Sequence, residues 1–304
     1  MKRPKILIIV GPTASGKTAL AIELAKKLGG EVISADSRQV YRGLDIGTGK
    51  VTKREMQGIP HHLLDIASPR KALSAGDFVI HASDAIARVA CRERLPIIAG
   101  GTGFYIDALV GRIALPDVPP NPALRKKLAG NSAAQLFALL KKKDPSRALS
   151  MNTPSERNNK VRLIRALEIA DGLEGQTFHK RSDLPRYETL WIGINPPFKV
   201  LEQKISKRLS QRLKIGMIAE AKRLHARGLS YKRMEALGLE YRSLARFLQG
   251  KITRPEMEAE LNRDIRRYAK HQLSYWKRNT EIKWIKPSQH ETALRTIRKW
   301  LGAK

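Results

Sequence analysis

The sequence is poor in cysteine, in acidic residues and in long apolar runs, and these shortages exclude several classes of protein. Cys91 is the single cysteine among 304 residues, so no internal disulfide can form and a reducing compartment is predicted. Its helical surroundings predict a packed thiol. No apolar run approaches the roughly 20 residues of a membrane span, and residues 1–5 lead directly into an apolar segment, with no room for a signal peptide. We therefore expect a soluble, cytoplasmic protein that has no membrane partner.

The shortage of acidic residues leaves a large excess of positive charge. The chain has 58 Lys and Arg residues against 28 Asp and Glu, a formal net charge of +30. Folding requires no such excess, so the balance indicates a polyanionic partner, most commonly a nucleic acid. An adaptation to solubility is the alternative. An apolar content of 42% is enough for a core, and the length predicts two domains or one domain with a large insertion.

What the chain does contain is a phosphate-binding pattern near its start. Residues 6–10 are all apolar and predict a buried strand, and the segment after Thr18 predicts a helix. Between them, GPTASGKT has the G-x-x-x-x-G-K-[ST] spacing of a P-loop, whose backbone amides and helix N-terminus bind phosphate oxygens. Lys17 would reach the terminal phosphates, and the Thr18 hydroxyl would bind Mg²⁺. The predicted phosphate-binding residues are Gly11, Thr13, Ala14, Ser15, Gly16, Lys17 and Thr18.

Two later segments also read as strands that end in polar turns. Residues 31–36 end in Asp36, and residues 95–99 lead into the turn Gly-Gly-Thr-Gly, which contains Thr102. Ligands of α/β sheets bind at the carboxyl ends of the strands, so both side chains are expected beside the P-loop. For Asp36 the alternative is an N-cap on the residues that follow. The 95–99 strand lacks the terminal aspartate that an ATPase uses to hold Mg²⁺.

A helical, basic segment interrupts the α/β pattern. It begins in the proline-rich stretch 115–122 and extends to about Pro185, with helices predicted at 124–128, 134–143 and 158–171. A strand at 189–194 is predicted to rejoin the first sheet. The prediction is therefore a core of residues 1–114 and 187–304 with an inserted helical domain at 115–186.

Three helical faces carry arginines or lysines in patterns that have two interpretations. Arg162 and Arg165 form either a solvated face or a phosphate-binding face. Arg208 and Arg212 fall on the apolar stripe of a long helix predicted at 198–227, so they either point inward to an anion or extend from the edge of the stripe. The helix predicted at 256–278 mixes cations with aromatic residues, which suits either nucleic acid or a packed core.

Together these segments resemble the tRNA dimethylallyltransferases, also called tRNA isopentenyltransferases. The resemblance covers residues 6 to about 285 and rests on GPTASGKT, SADSRQVYRGLDIGTGK, GIPHHLLDI, GGTGFYIDAL, NNKVRLIRALEI and RRYAKHQLSYWKR. The chain differs from the family in reading Gly-Leu-Glu-Tyr-Arg at 238–242, where Gly-Tyr-Lys or Gly-Tyr-Arg is common. It also has Ile265 and His271 where the family usually has Thr and Arg.

The resemblance implies a P-loop NTPase-like parallel sheet flanked by helices, with a helical insertion that grips the anticodon stem-loop of tRNA. A monomer with Mg²⁺ as cofactor would transfer the dimethylallyl group of dimethylallyl pyrophosphate to the exocyclic amine of the adenosine 3′-adjacent to the anticodon, and pyrophosphate would leave. Asp36 would be the general base, and Thr102 and Arg208 would complete the catalytic set. The tRNA contacts that it implies are Asp36, Ser37, Arg38, Gln39, Thr102, Arg125, Val161, Arg162, Leu163, Ile164, Arg165, Tyr241 and Arg242.

The residues themselves agree with this chemistry but leave other functions open. Departure of pyrophosphate requires stabilised charge and no positioned water, which is compatible with the missing aspartate. The target base would have to leave its stack to reach the cleft. The alternatives are an ATP-dependent small-molecule kinase, a nucleic-acid-binding nucleotide switch, and an adenylate isopentenyltransferase, which the charge excess disfavours.

Overall fold

The computed structural model describes residues 3–173 and 186–302, and these divide into two compact units. The described residues of the first, the core unit, lie within 1–113 and 185–304, and those of the second, the helical unit, lie within 114–184. Pro185, where we expected the helical segment to end, lies outside the described residues. No helix among the described residues is long and apolar enough to cross a bilayer.

The core unit contains one parallel sheet of six strands in the order β3-β2-β4-β1-β5-β6. The predicted fold class is confirmed, and the strand near residue 190 does rejoin the sheet, pairing with the first strand along its whole length. Because all strands are parallel, their carboxyl ends lie along one edge. The strands are β1 (Lys5–Val10), β2 (Gly30–Ser34), β3 (His61–His62), β4 (Leu95–Ala99), β5 (Glu188–Ile194) and β6 (Lys283–Ile285).

Helices account for most of the remaining described residues. Those of the core unit before the insertion are α1 (Lys17–Leu28), α2 (Lys53–Met56), α3 (Ala75–Cys91) and α4 (Gly103–Leu109). Those of the helical unit are α5 (Pro122–Leu128), α6 (Ala133–Lys143), α7 (Pro145–Ser150), α8 (Pro154–Arg157) and α9 (Lys160–Gly172). Those after the insertion are α10 (Phe198–Lys214), α11 (Met217–Ala226), α12 (Tyr231–Leu237), α13 (Leu239–Leu248), α14 (Arg254–Trp276) and α15 (His290–Leu301).

The sheet is buried on both faces, which explains why its central strands are apolar without alternation. On one face, Leu7 and Ile9 pack with Leu20 and Leu24 of α1. On the other, the even-numbered residues of β1 pack with Phe78 of α3 and with parts of α4 and α14. A separate apolar cluster joins α10, α11, α13 and α14. These layers fix the strand ends from which the site loops emerge.

Two local expectations were wrong. The single helix predicted at 198–227 is two helices, because Gly216 has φ +107°, a left-handed conformation that ends α10 and starts α11. Cys91 is exposed. It is the last residue of α3, and a separation of two residues from the buried Val89 places it on the opposite side of the helix.

The helical unit has its own small core. Leu163 and Leu167 of α9 pack against Leu136 and Leu140 of α6. Asn121, Ser132, Asp144, Thr153 and Asn159 cap its helices by accepting backbone amides, so short helices begin at well-defined positions. The unit is therefore built by local signals and one apolar contact region.

Candidate active site

The P-loop lies between β1 and α1 and depends on two glycines. Gly11 has φ +145°, and a Cβ there would lie 2.6 Å from the carbonyl oxygen of Ile194 on the adjacent strand β5. Gly16, at φ +100°, is the N-cap of α1. Only glycine fits the first position, and the second requires a conformation that other residues rarely adopt. The loop amides therefore gather at the N-terminus of α1, where an anion is favoured.

Lys17 is folded back over this loop. Its Nζ donates a 2.6 Å hydrogen bond to the carbonyl of Pro12. Burial lowers the pKa of Lys17 to about 8, although the nearby Asp36 carboxylate acts in the opposite direction. The ammonium thus lies among few compensating charges, and a bound pyrophosphate would supply them.

Two hydroxyls complete the loop. The Ser15 hydroxyl is buried and has no hydrogen-bond partner among the residues that the structure describes. Thr18, the second residue of α1, is exposed at the mouth of the loop. An unsatisfied hydroxyl and an exposed one beside a positive helix end are suited to ligand oxygens or to a hard cation that those oxygens share.

Asp36 follows β2, and its side chain accepts backbone amides of the next residues, although residues 37–40 form a turn and not the helix that the N-cap interpretation requires. Its Oδ1 accepts the backbone N–H groups of Arg38 at 2.8 Å and Gln39 at 3.3 Å. The carboxylate is half-buried and close enough to Lys17 to affect the pKa of that ammonium. Asp36 therefore lies in the P-loop cleft, as predicted, with its orientation fixed by its own turn.

Thr102 links the turn after β4 to the turn after β2. Its Oγ1 accepts the N–H of Ser37 at 3.0 Å, and its own N–H donates to the carbonyl of Ala35 at 3.2 Å. A Cβ at Gly100 would lie 2.2 Å from that same carbonyl oxygen, so the two turns touch through backbone atoms. The three loops that sequence patterns singled out meet at one edge of the sheet.

Arg208 enters the site from α10. Its Nη2 donates to the carbonyl of Gly49 at 2.8 Å, and a Cβ at Gly49 would lie 2.3 Å from that nitrogen. Burial, together with the positive charge of Arg212, lowers the pKa of Arg208 below its ordinary range. Arg212 is only 8% exposed and donates to the carbonyl of Ile46 at 2.7 Å and to Glu240 at 3.0 Å. Both arginines point inward; Arg212 meets the carboxylate of Glu240, whereas Arg208 donates to a backbone carbonyl, and its expected anion stays a prediction.

The sequence did not reveal Glu220, which organises the loop at residues 45–50. Its carboxylate accepts the backbone N–H groups of Asp45, Ile46 and Gly47 at 3.0, 2.7 and 2.8 Å. Glu220 is 4% exposed and lies in an ordinary helical stretch, so only its burial distinguishes it from a surface glutamate. This carboxylate and Arg212 fix the loop that receives Arg208.

The residues predicted to contact tRNA fall into exposed and buried groups. In the core unit, Ser37, Arg38 and Gln39 are half-buried at the mouth of the site, and Arg242 is exposed. Tyr241 is 2% exposed and donates its hydroxyl to Glu220 at 2.7 Å. Its side chain therefore supports the 45–50 loop from inside, which corrects the expectation of a surface contact.

In the helical unit, too, the residues predicted to contact tRNA divide into exposed and buried ones. Leu163 is fully buried in the core, so its side chain is not available to tRNA. Arg125 forms two hydrogen bonds, of 2.7 and 2.9 Å, with the buried carboxylate of Glu168, and half-buried Arg165 shares that carboxylate. Exposed members of the predicted set are Val161 and Arg162, while Ile164 is half-buried.

A parallel sheet with a P-loop after its central strand, and with polar turns after neighbouring strands, defines a P-loop protein that acts on a phosphorylated ligand. Residues 39–279 match the IPP transferase family model, which is more than half of the chain. The chain belongs to this family, as the resemblance predicted.

Curated relatives and solved structures agree. The chain is 41% identical over 284 residues to tRNA dimethylallyltransferase 1 of Geotalea uraniireducens, covering 92% of each chain. It is similar to the crystal structure of the tRNA isopentenylpyrophosphate transferase of Bacillus halodurans, with 36% identity, a TM-score of 0.72, and coverage of 99% and 96%. A eukaryotic dimethylallyltransferase acting on tRNA shares the fold at a TM-score of 0.82 and 23% identity, over 99% of this chain and 80% of that one.

Proposed function

We propose that the protein transfers the dimethylallyl group of dimethylallyl pyrophosphate to the exocyclic amine of the adenosine 3′-adjacent to the anticodon of tRNA. One observation carries the proposal: the Asp36 carboxylate lies in the same cleft as Lys17 of the P-loop, close enough to act on the pKa of that ammonium. Such a pair supplies a cation for a departing pyrophosphate and a base for an amine proton. The family membership supports the same reaction.

The reaction assigns a role to each of the charged side chains in the cleft. The bond between the allylic carbon and the pyrophosphate oxygen breaks, and its electron pair leaves with pyrophosphate, whose charge Lys17 and Arg208 would stabilise. The adenosine nitrogen forms the new bond to that carbon, and Asp36 would accept the proton that the nitrogen loses. Since the amides of Arg38 and Gln39 bind Oδ1 of Asp36, Oδ2 would be the oxygen that accepts this proton.

We also propose Mg²⁺ as the cofactor, with Thr18 as its protein ligand. Among the described residues no group of three or more His, Cys, Asp or Glu side chains could hold a metal. The ion would therefore take its remaining oxygens from pyrophosphate and water, as Mg²⁺ commonly does. When bound, it would neutralise charge on the leaving group.

The proposed macromolecular partner is tRNA, with the helical unit on the anticodon stem-loop. Charge supports this: the helical unit has lysine runs at the ends of α5 and α6, within a chain of net charge +30. We propose that the enzyme acts as a monomer in the cytoplasm. The molar mass from light scattering, with and without tRNA, tests whether the protein is a monomer.

The deciding experiment is mass spectrometry of bulk tRNA incubated with the protein, Mg²⁺ and dimethylallyl pyrophosphate, with parallel reactions that also contain ATP or AMP. We expect one adenosine beside the anticodon to gain a dimethylallyl group in place of a hydrogen. Unmodified tRNA, with ATP consumed instead, would favour a kinase or a nucleotide switch. Prenylated AMP would favour an adenylate isopentenyltransferase. Competition by ATP is a second check, because ATP should bind more weakly than dimethylallyl pyrophosphate. The Lys17→Ala variant should bind dimethylallyl pyrophosphate more weakly than wild type does.

A further inference from the structure

Gln272 joins the P-loop to the glycine turn after β4. It lies on α14 and is 6% exposed. Its Oε1 accepts the backbone N–H of Thr13 at 2.8 Å, and its Nε2 donates to the carbonyl of Gly101 at 3.0 Å. One primary amide thus satisfies a donor in one loop and an acceptor in the other.

The contact between α14 and the glycine turn is close. A Cβ at Gly101 would lie 2.1 Å from Nε2 of Gln272, and a Cβ at Gly103 would lie 2.2 Å from the ring of Tyr275. Since these atoms belong to buried Gln272 and half-buried Tyr275, a larger residue in the turn would displace the Gln272 amide or the Tyr275 ring. The approach of α14 therefore explains the second and third glycines of the Gly-Gly-Thr-Gly pattern, whereas the first, Gly100, is explained by the Ala35 carbonyl.

We propose that Gln272 is a positioning residue that sets the separation between the pyrophosphate site and the Asp36 turn. The connection runs from Thr13 through Gln272 to Gly101, whose neighbour Thr102 accepts the N–H of Ser37 at 3.0 Å. This inference rests on the proposed function for its kinetic consequence. It also assigns the Thr13 amide to Gln272, so the loop amides that follow Thr13 are the ones left for phosphate.

The chemistry of the amide is specific to this bridge. A leucine side chain offers neither the acceptor nor the donor. An ionised glutamate keeps the acceptor for Thr13 but places a second acceptor against the carbonyl of Gly101, and only its protonated form can donate there. A misplacement of about 1 Å between reacting groups can cost about 10²-fold in rate.

The test compares Gln272→Leu and Gln272→Glu with Gln203→Glu, which introduces the same charge at an exposed position of α10. We expect Gln272→Leu to lower kcat about 10²-fold with little change in the Kd for tRNA. For Gln272→Glu, kcat should fall further as pH rises through the titration of the new carboxyl. Wild type and Gln203→Glu should lack that added pH dependence.

Inorganic pyrophosphate provides a readout that does not depend on the proposed reaction. Gln272→Leu should bind it about 10-fold more weakly by calorimetry, because the P-loop loses its anchor at Thr13. Gln272→Met, of similar length and without polar atoms, repeats the measurement if the leucine variant fails to fold. Wild-type kcat and pyrophosphate affinity in folded Leu or Met variants would overturn the inference. A wild type that binds pyrophosphate but never prenylates tRNA would instead overturn the proposed function.

Discussion

The hydroxyl of Tyr241 donates a 2.7 Å hydrogen bond to Oε1 of Glu220, and both side chains are buried. The same carboxylate accepts three consecutive backbone amides of the 45–47 loop. Burial, followed by the Glu220 charge, raises the pKa of Tyr241 well above its ordinary value, so the phenol stays protonated and donates. The loop that receives Arg208 is thus held by a buried carboxylate and a buried phenol.

We expect Tyr241→Phe to lower the free energy of unfolding by about 1–3 kcal/mol, because it removes a donor from a buried carboxylate. Chemical denaturation with urea measures the change. Tyr231→Phe is the control, since Tyr231 is only half-buried and stacks on His225 through its ring. Equal, small losses for both variants would show that the Tyr241 hydroxyl contributes little to the loop.

Replacing the proposed base should separate binding from turnover. In Asp36→Asn the side-chain oxygen can still accept the amides of Arg38 and Gln39, so the turn is retained while the proton acceptor is lost. The single-turnover rate should fall about 10²–10⁴-fold with the Kd for tRNA nearly unchanged. Asp84→Asn, an exposed position on α3, controls for the loss of a carboxylate. A wild-type rate in Asp36→Asn would remove Asp36 from the role of base.

The lowered pKa of Lys17 predicts a pH dependence of pyrophosphate binding. Burial lowers that pKa to about 8, so the free enzyme loses the ammonium as pH rises through about 8. We expect pyrophosphate to bind the charged form, so the affinity of wild type relative to Lys17→Met should decrease above that pH. Lys17→Arg, which stays charged, should show no such decrease. Calorimetric titrations from pH 6.5 to 9.5 measure these affinities. A wild-type affinity that stays constant relative to Lys17→Met would contradict the role of Lys17 as the titrating group.

The lowered pKa of Lys17 also affects the stability of the fold, which should rise with pH where the pyrophosphate affinity falls. The unfolded chain holds the proton of Lys17 up to its ordinary pKa, whereas the folded chain releases it near pH 8. Between those values the unfolded state binds more protons, so this group increases stability as pH rises. Below about pH 8 both states are protonated, and the burial cost of the ammonium is present in full.

Local pattern was enough to predict the central strands and the site loops. The P-loop, Asp36 and Thr102 each follow an apolar run, and parallel pairing brings such strand ends together. The two-residue β3 and the three-residue β6 are too short to show a period, and neither was predicted. Gly216 divides a helical pattern that is otherwise continuous from Phe198 to Ala226.

Contacts between residues distant in sequence could not be predicted in this way. Glu220 and Gln272 each occupy an ordinary helical position, and their backbone partners in the site loops lie 173 to 175 and 171 to 259 residues away. The burial of a polar side chain against loop backbone depends on tertiary packing, which no local spacing encodes. Tyr241 shows the converse, because a motif suggested a surface role for a side chain that packing places inside.

The last prediction concerns Arg162, which tests whether the helical unit binds tRNA phosphates. Its side chain is 61% exposed and lies 3.4 Å from Glu156, a surface pair worth at most about 1 kcal/mol. Arg162→Ala should therefore leave the unit folded. Arg165 differs, because it donates to the carbonyl of Val118 and to the buried Glu168, so its replacement should reduce stability as well as binding.

If Arg162 contacts a phosphate, its loss should raise the KM for tRNA and reduce the slope of log affinity against log salt by about 0.7–0.9. The Kd for dimethylallyl pyrophosphate should not change, since the site that we propose for that ligand is in the core unit. Arg254→Ala is a matched control: its side chain is 64% exposed and pairs with an exposed glutamate, but it lies at the start of α14. Titrations of tRNA across a salt series decide the question. Each phosphate contact releases counterions from the tRNA, so the loss of one contact must reduce the slope. An Arg162→Ala slope equal to that of wild type and of the control would therefore make Arg162 part of a solvated helix face.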